Sequence, residues 1–113
     1  YGVYNTSKFA VTGLTESLAR DLRNTRIGVS MLCPGQVATG IFTNTNRPSD
    51  FRKRIDDVPM DRRVAENVMD PGEVAAKVVT GIEEGALYIF SHQDEARLLI
   101  SKRMNRLMRS VGA

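Results

Sequence analysis

Seven residues, Ile27-Gly28-Val29-Ser30-Met31-Leu32-Cys33, constrain this chain more than any other stretch. They form a short apolar run, and Pro34-Gly35 stops it at once, because proline lacks an amide hydrogen and glycine frees the backbone. A run that is apolar at successive positions expects cover on both faces, which suits a parallel strand lying between helices. Ahead of it, residues 4–24 read as an amphipathic helix, with Val11, Leu14, Leu18 and Leu22 at spacings of three, four and four. Ala10, Gly13 and Ser17 form a small-residue flank to that stripe. Gly13 reads equally as a point of close helix approach or as a surface glycine costing about 1 kcal/mol against alanine. Helix, buried strand and Pro-Gly turn make one αβ step of a doubly wound sheet, whose ligands lie beyond the carboxyl ends of the strands. Residues 27–39 are that strand and turn, and Pro34 to Thr39 fall where a ligand would lie.

The remainder repeats the step. Residues 40–69 are irregular, with Asn44-Thr45-Asn46-Arg47-Pro48-Ser49 as a loop signal. Loops of this length in compact domains are usually functional or mobile. Asp70-Pro71-Gly72-Glu73 is a helix start, with Asp70 as N-cap, Pro71 at the first position and Glu73 completing a capping box. The helix is expected over 71–84, with Val74, Ala75, Val78, Val79 and Ile82 on its buried face and Gly85 at its end. Residues 87–90 are expected as an edge strand. His92 follows as a loop residue with no Cys or Ser partner. The tail, about 93–111, reads as a last helix with Ala96, Ile100, Met104, Leu107 and Val111 as its apolar row. Its basic side reads as a solvated face in preference to a membrane surface.

Composition excludes several classes of function. At 113 residues, the chain holds one domain at most. It is 42% hydrophobic and 26% charged, too apolar for disorder. Sixteen basic residues are answered by thirteen acidic ones, and 6% aromatic content leaves little for base stacking, so nucleic acid is not an expected partner. The single Cys33 makes no internal disulfide, and no Cys/His cluster suits a metal. No apolar run is long enough for a membrane span.

Tyr4 and Lys8 remain. In a helix they stand one turn apart on one face. A phenol is a poor proton donor or acceptor at neutral pH, and an ammonium one turn away favours the phenolate. Alone this spacing is weak, since an exposed packing pair has the same pattern.

Tyr4-x-x-x-Lys8, the helix after it and Ser30-Met31-Leu32-Cys33-Pro34-Gly35-Gln36-Val37-Ala38-Thr39 together closely resemble the short-chain dehydrogenase/reductase family. Ser7-Lys8-Phe9-Ala10-Val11 and Leu18-Ala19-Arg20-Asp21-Leu22 add to the resemblance. It implies an α/β fold, the C-terminal part of a Rossmann-type doubly wound parallel sheet in the order helix-strand-loop-helix-strand-helix. It also implies an NAD(P)-dependent oxidoreductase that interconverts a carbonyl and an alcohol by hydride transfer. Tyr4 would be the general acid/base. Lys8 would lower the Tyr4 pKa and bind the nicotinamide ribose. Pro34 and Gly35 would shape the turn beside the nicotinamide, the Val37 backbone would meet the carboxamide, and Thr39 would face the carboxamide or pyrophosphate. Ile41 and Phe42, in the loop that covers substrate in that family, are candidate substrate contacts.

The family's glycine-rich phosphate loop, the residue choosing NAD over NADP, and its active-site serine and asparagine would all precede Tyr1. The expectation is therefore the C-terminal portion of one Rossmann domain, inactive by itself, from a cytoplasmic homo-oligomer (dimer or tetramer) acting on a small molecule. The alternatives are a non-catalytic interaction module or remnant that keeps the helix, and a binder of anionic partners through the basic loop and tail.

Overall fold

A computed structural model describes residues 2–39 and 67–112. In chain order they form α1 (Gly2–Asp21), β1 (Met31–Cys33), α2 (Pro71–Glu83), β2 (Tyr88–Phe90) and α3 (Gln93–Ser110). α1 ends at Asp21, short of the expected Asn24, whereas α2 begins and ends within a residue of where the sequence puts it. Beyond α1, the Thr25 N–H donates to the Leu22 carbonyl at 2.9 Å and the Thr25 hydroxyl accepts the Ile27 N–H at 3.1 Å, turning the chain toward β1. Asp70 caps α2 by accepting the Gly72 N–H at 2.7 Å, which satisfies one of the amides a helix start leaves open. Gly85 ends α2 with φ of 68°, in the left-handed region that glycine enters without steric cost.

The α/β expectation holds. The two strands pair in parallel, with Met31 opposite Tyr88, Leu32 opposite Ile89 and Cys33 opposite Phe90. Side chains alternate across a strand, so Ile89 points to one face and Tyr88 and Phe90 to the other. On the first face lies α2. Ile89 is only 6% exposed there. It rests against Gly81, where an added Cβ would stand 2.6 Å from Ile89 Cγ1, so helix and strand meet where no side chain intervenes. On the second face Tyr88 and Phe90 stack with ring centroids 6.2 Å apart. The Tyr88 hydroxyl donates to Glu16 of α1. Arg103 of α3 sits 4.9 Å above the Phe9 ring of α1, a cation–π contact. α2 thus packs on one face of the sheet, while on the other α1 reaches it through Glu16.

Several expectations are corrected. The strands are three residues each, shorter than the runs 27–33 and 87–90. Strand structure extends only where a partner supplies hydrogen bonds, and among the described residues each strand has one neighbour. β1 does not have both faces covered, because Leu32 is 40% exposed. Of the predicted α2 face only Val74 is buried, and Val78 is half-buried, while Ala75, Val79 and Ile82 are exposed. Val11, Leu14 and Leu18 on α1, and Ile100, Met104, Leu107 and Val111 beyond Ala96 in the tail row, are exposed too. An apolar stripe is buried only where an element lies against it, and among the described residues α2 meets a sheet two strands wide. Most of the loop expected over 40–69 lies outside the described residues.

Candidate functional site

The carboxyl ends of β1 and β2 lie side by side, because the strands are parallel and in register. From β1 the chain enters the Pro34–Thr39 turn. The Gly35 N–H donates to Ser91 Oγ at 2.9 Å. Further on, the Met69 N–H donates to the Gln36 carbonyl and the Ala38 N–H to the Met69 carbonyl, each at 3.0 Å. These two bonds make a single parallel bridge between Val37 and Met69. In that geometry the Val37 N–H faces away from Met69. Among the described residues it makes no hydrogen bond, while the Val37 carbonyl accepts the Thr39 N–H at 2.8 Å.

From β2 the chain enters Ser91-His92. His92 is 8% exposed and Ser91 1%. His92 Nδ1 lies 2.7 Å from Ser91 Oγ, and Nε2 lies 2.7 Å from the Asn67 carbonyl oxygen. A carbonyl only accepts, so Nε2 carries a proton; in the neutral ring Nδ1 then accepts the Ser91 hydroxyl proton. One directional chain results: Gly35 N–H to Ser91 Oγ, Ser91 O–H to His92 Nδ1, and His92 Nε2–H to the Asn67 carbonyl. The ring also occupies the space over Gly35, where an added Cβ would lie 2.5 Å from Nδ1.

This corrects the sequence reading of His92. It does precede α3 as a loop residue, but it has a serine partner and is buried. The parallel register carries Pro34-Gly35 and Ser91-His92 forward to adjacent positions, a pairing that shows only once the register is known. The pair does not form a nucleophilic dyad, because Ser91 Oγ is buried out of reach of a substrate and accepts the Gly35 N–H. Cys33 and His92 line a cleft of about 250 Å³ whose far wall includes Ala96, Leu99 and Ile100 of α3. Burial pushes the Cys33 thiol pKa up, which disfavours the thiolate there.

The remaining expected site residues sit on α1. Tyr4 is 59% exposed. Lys8 Nζ lies 5.4 Å from the Tyr4 ring centroid, so helical spacing brings the two together as expected. Among the described residues no hydrogen bond joins Tyr4 or Lys8 to the Pro34–Thr39 turn. Pro34, Gly35, Val37 and Thr39 all belong to the turn beyond β1. Ile41 and Phe42 lie outside the described residues. Among the described residues, no cluster of His, Cys, Asp and Glu suits a metal ion, and no helix is long and apolar enough to cross a membrane.

Residues 1–50 match a family model described as short chain dehydrogenase. A CLA biosynthesis dehydrogenase/reductase of Lactiplantibacillus plantarum is 30% identical over 118 residues, 93% of this chain and 41% of that protein. The 15-hydroxyprostaglandin dehydrogenase [NAD(+)] of Bos taurus is 32% identical over 89 residues, 75% of this chain and 34% of the relative. Glucose 1-dehydrogenase 2 of Bacillus subtilis is 30% identical over 86 residues, covering 76% and 31% respectively. No solved structure matches the chain at comparable significance. The chain belongs to the short-chain dehydrogenase/reductase family. Its matches span from 31% to 41% of the length of these three relatives.

Proposed function

We propose that this chain is part of an oxidoreductase that interconverts a carbonyl and an alcohol with NAD or NADP, and that Tyr4 is its general acid/base. The observation that carries this reading is the Tyr4–Lys8 pair, side by side on one exposed face of α1 in a chain of this family. The name of the bovine relative, which specifies NAD(+), supports the cofactor class. In this reading residues 1–113 are the C-terminal portion of a Rossmann-type domain, and the active enzyme is a homo-oligomer.

The residues present fit a nicotinamide dinucleotide. The Val37 N–H is a donor without a partner among the described residues, at the strand ends where ligands of such sheets bind. Val37 would meet the carboxamide, Pro34 and Gly35 would shape the surface beside it, and Thr39 would offer its hydroxyl or backbone. Lys8 would hold a ribose hydroxyl. When bound, the dinucleotide supplies or accepts the hydride. Tyr4 Oη gives a proton to the substrate oxygen during reduction and takes one from it during oxidation.

Tyr4→Phe in the complete enzyme tests this. Removing a general acid/base costs about 10²–10⁴ in rate, so kcat on a panel of small carbonyls and alcohols should fall by that factor. Unchanged turnover would remove Tyr4 from the mechanism.

A further inference from the structure

Ser91 and His92 take no part in the proton chemistry just described, yet they touch both stretches that border residues 40–66. On one side Ser91 Oγ accepts the Gly35 N–H, and the imidazole packs where a Gly35 Cβ would be. On the other, His92 Nε2–H donates to Asn67, two residues before the Met69 that bridges Val37. The β1–β2 ladder ends with the long 3.4 Å bond from the Ser91 N–H to the Cys33 carbonyl. Past that bond, the turn is not held by the ladder. Apolar packing holds it weakly as well: Pro34, Gly35, Ala38 and Thr39 are exposed, and Gln36 and Val37 are half-buried. A segment with so little buried surface keeps its position through specific hydrogen bonds. Those bonds run to Ser91 and to Met69, and His92 ties the Ser91 side to the Met69 side.

We propose that Ser91 and His92 are positioning residues that fix the Pro34–Thr39 turn, and with it the Val37 N–H, for the nicotinamide end of a bound dinucleotide. The proposal rests on the dinucleotide reading above. Ser91→Ala removes the acceptor for the Gly35 N–H and the donor to His92. His92→Gln is the conservative variant, because its amide nitrogen can keep the bond to Asn67 while the bond to Ser91 is lost.

The test uses the complete enzyme and two probes. One is NADH or NADPH, whichever the wild type binds, followed by nicotinamide fluorescence. The other is ADP-ribose or its 2′-phosphate, which lacks the nicotinamide. Loss of one buried hydrogen bond corresponds to about a tenfold change in an equilibrium constant. The Kd for the reduced dinucleotide should therefore rise about tenfold in Ser91→Ala and less in His92→Gln, while ADP-ribose affinity stays at the wild-type value. A merely structural role would move the two probes together or leave both unchanged, and either result overturns the proposal. If Ser91→Ala does not fold, His92→Gln decides alone by the same comparison. A wild type that binds neither NADH nor NADPH would overturn the dinucleotide reading and this proposal with it. Normal binding with unchanged probe affinities in both variants would overturn the positioning role only.

Discussion

A methyl group added at Gly81 would meet Ile89 Cγ1 at 2.6 Å and Cδ1 at 2.7 Å, whereas one added at Gly13 would meet nothing within 4 Å. Both glycines are helical, so both gain about 1 kcal/mol of intrinsic propensity on becoming alanine. At Gly81 the collision with a buried side chain opposes that gain, and overpacking costs about 1–3 kcal/mol. Gly81→Ala should lower stability and Gly13→Ala should raise it by about 1 kcal/mol, read by denaturant unfolding of the complete protein. A loss at Gly13 would mean that another surface lies against α1, the close-approach reading of the small-residue flank. At this scale the sequence was legible where one residue type has one use, as at Asp70 and Gly85. It was opaque where the neighbour comes from far along the chain. Gly81 owes its role to Ile89, and Ser91 and His92 owe theirs to Gly35 and Asn67; none of these pairings has a local pattern.

The succession of elements follows from their ends, since Pro34-Gly35, Asp70-Pro71 and Gly85 each mark a boundary that the folded chain respects. Strand length and buried faces did not follow, because both depend on which elements lie alongside. The tie between α1 and β2 illustrates that dependence, as the Tyr88 hydroxyl bonds Glu16, 72 residues away in sequence. The bond to Glu16 raises the Tyr88 pKa, with burial and the Glu16 and Cys33 charges adding in the same direction. A phenol whose folded pKa lies above its unfolded value of about 10 adds stability that is fully present below that value. That contribution is lost as pH rises through the folded pKa. Glu16→Gln should bring the Tyr88 titration down, measured as phenolate absorbance with Tyr88→Phe as the reference. An unchanged titration would show that the α1–β2 tie is absent in solution.

Across the whole described chain the buried apolar residues are few, with Val74 and Ile89 as the core. Large apolar side chains stay exposed on α1, on α3 and at Leu32. Exposed apolar surface on this scale favours association, and a short parallel pair whose outer edges are unpaired among the described residues offers further strand pairing. The 113-residue chain expressed by itself should therefore associate in sedimentation experiments, and a stable, cooperatively unfolding monomer would contradict that. On the proposed reading, α1 and the turn beyond β1 serve nicotinamide-dependent chemistry through Tyr4. The most direct measurement is NADH or NADPH binding and turnover by the complete enzyme, for wild type and Tyr4→Phe side by side. Both proteins should bind the dinucleotide, and only the wild type should turn over at full rate. Binding by neither protein, or equal turnover by both, would contradict that reading.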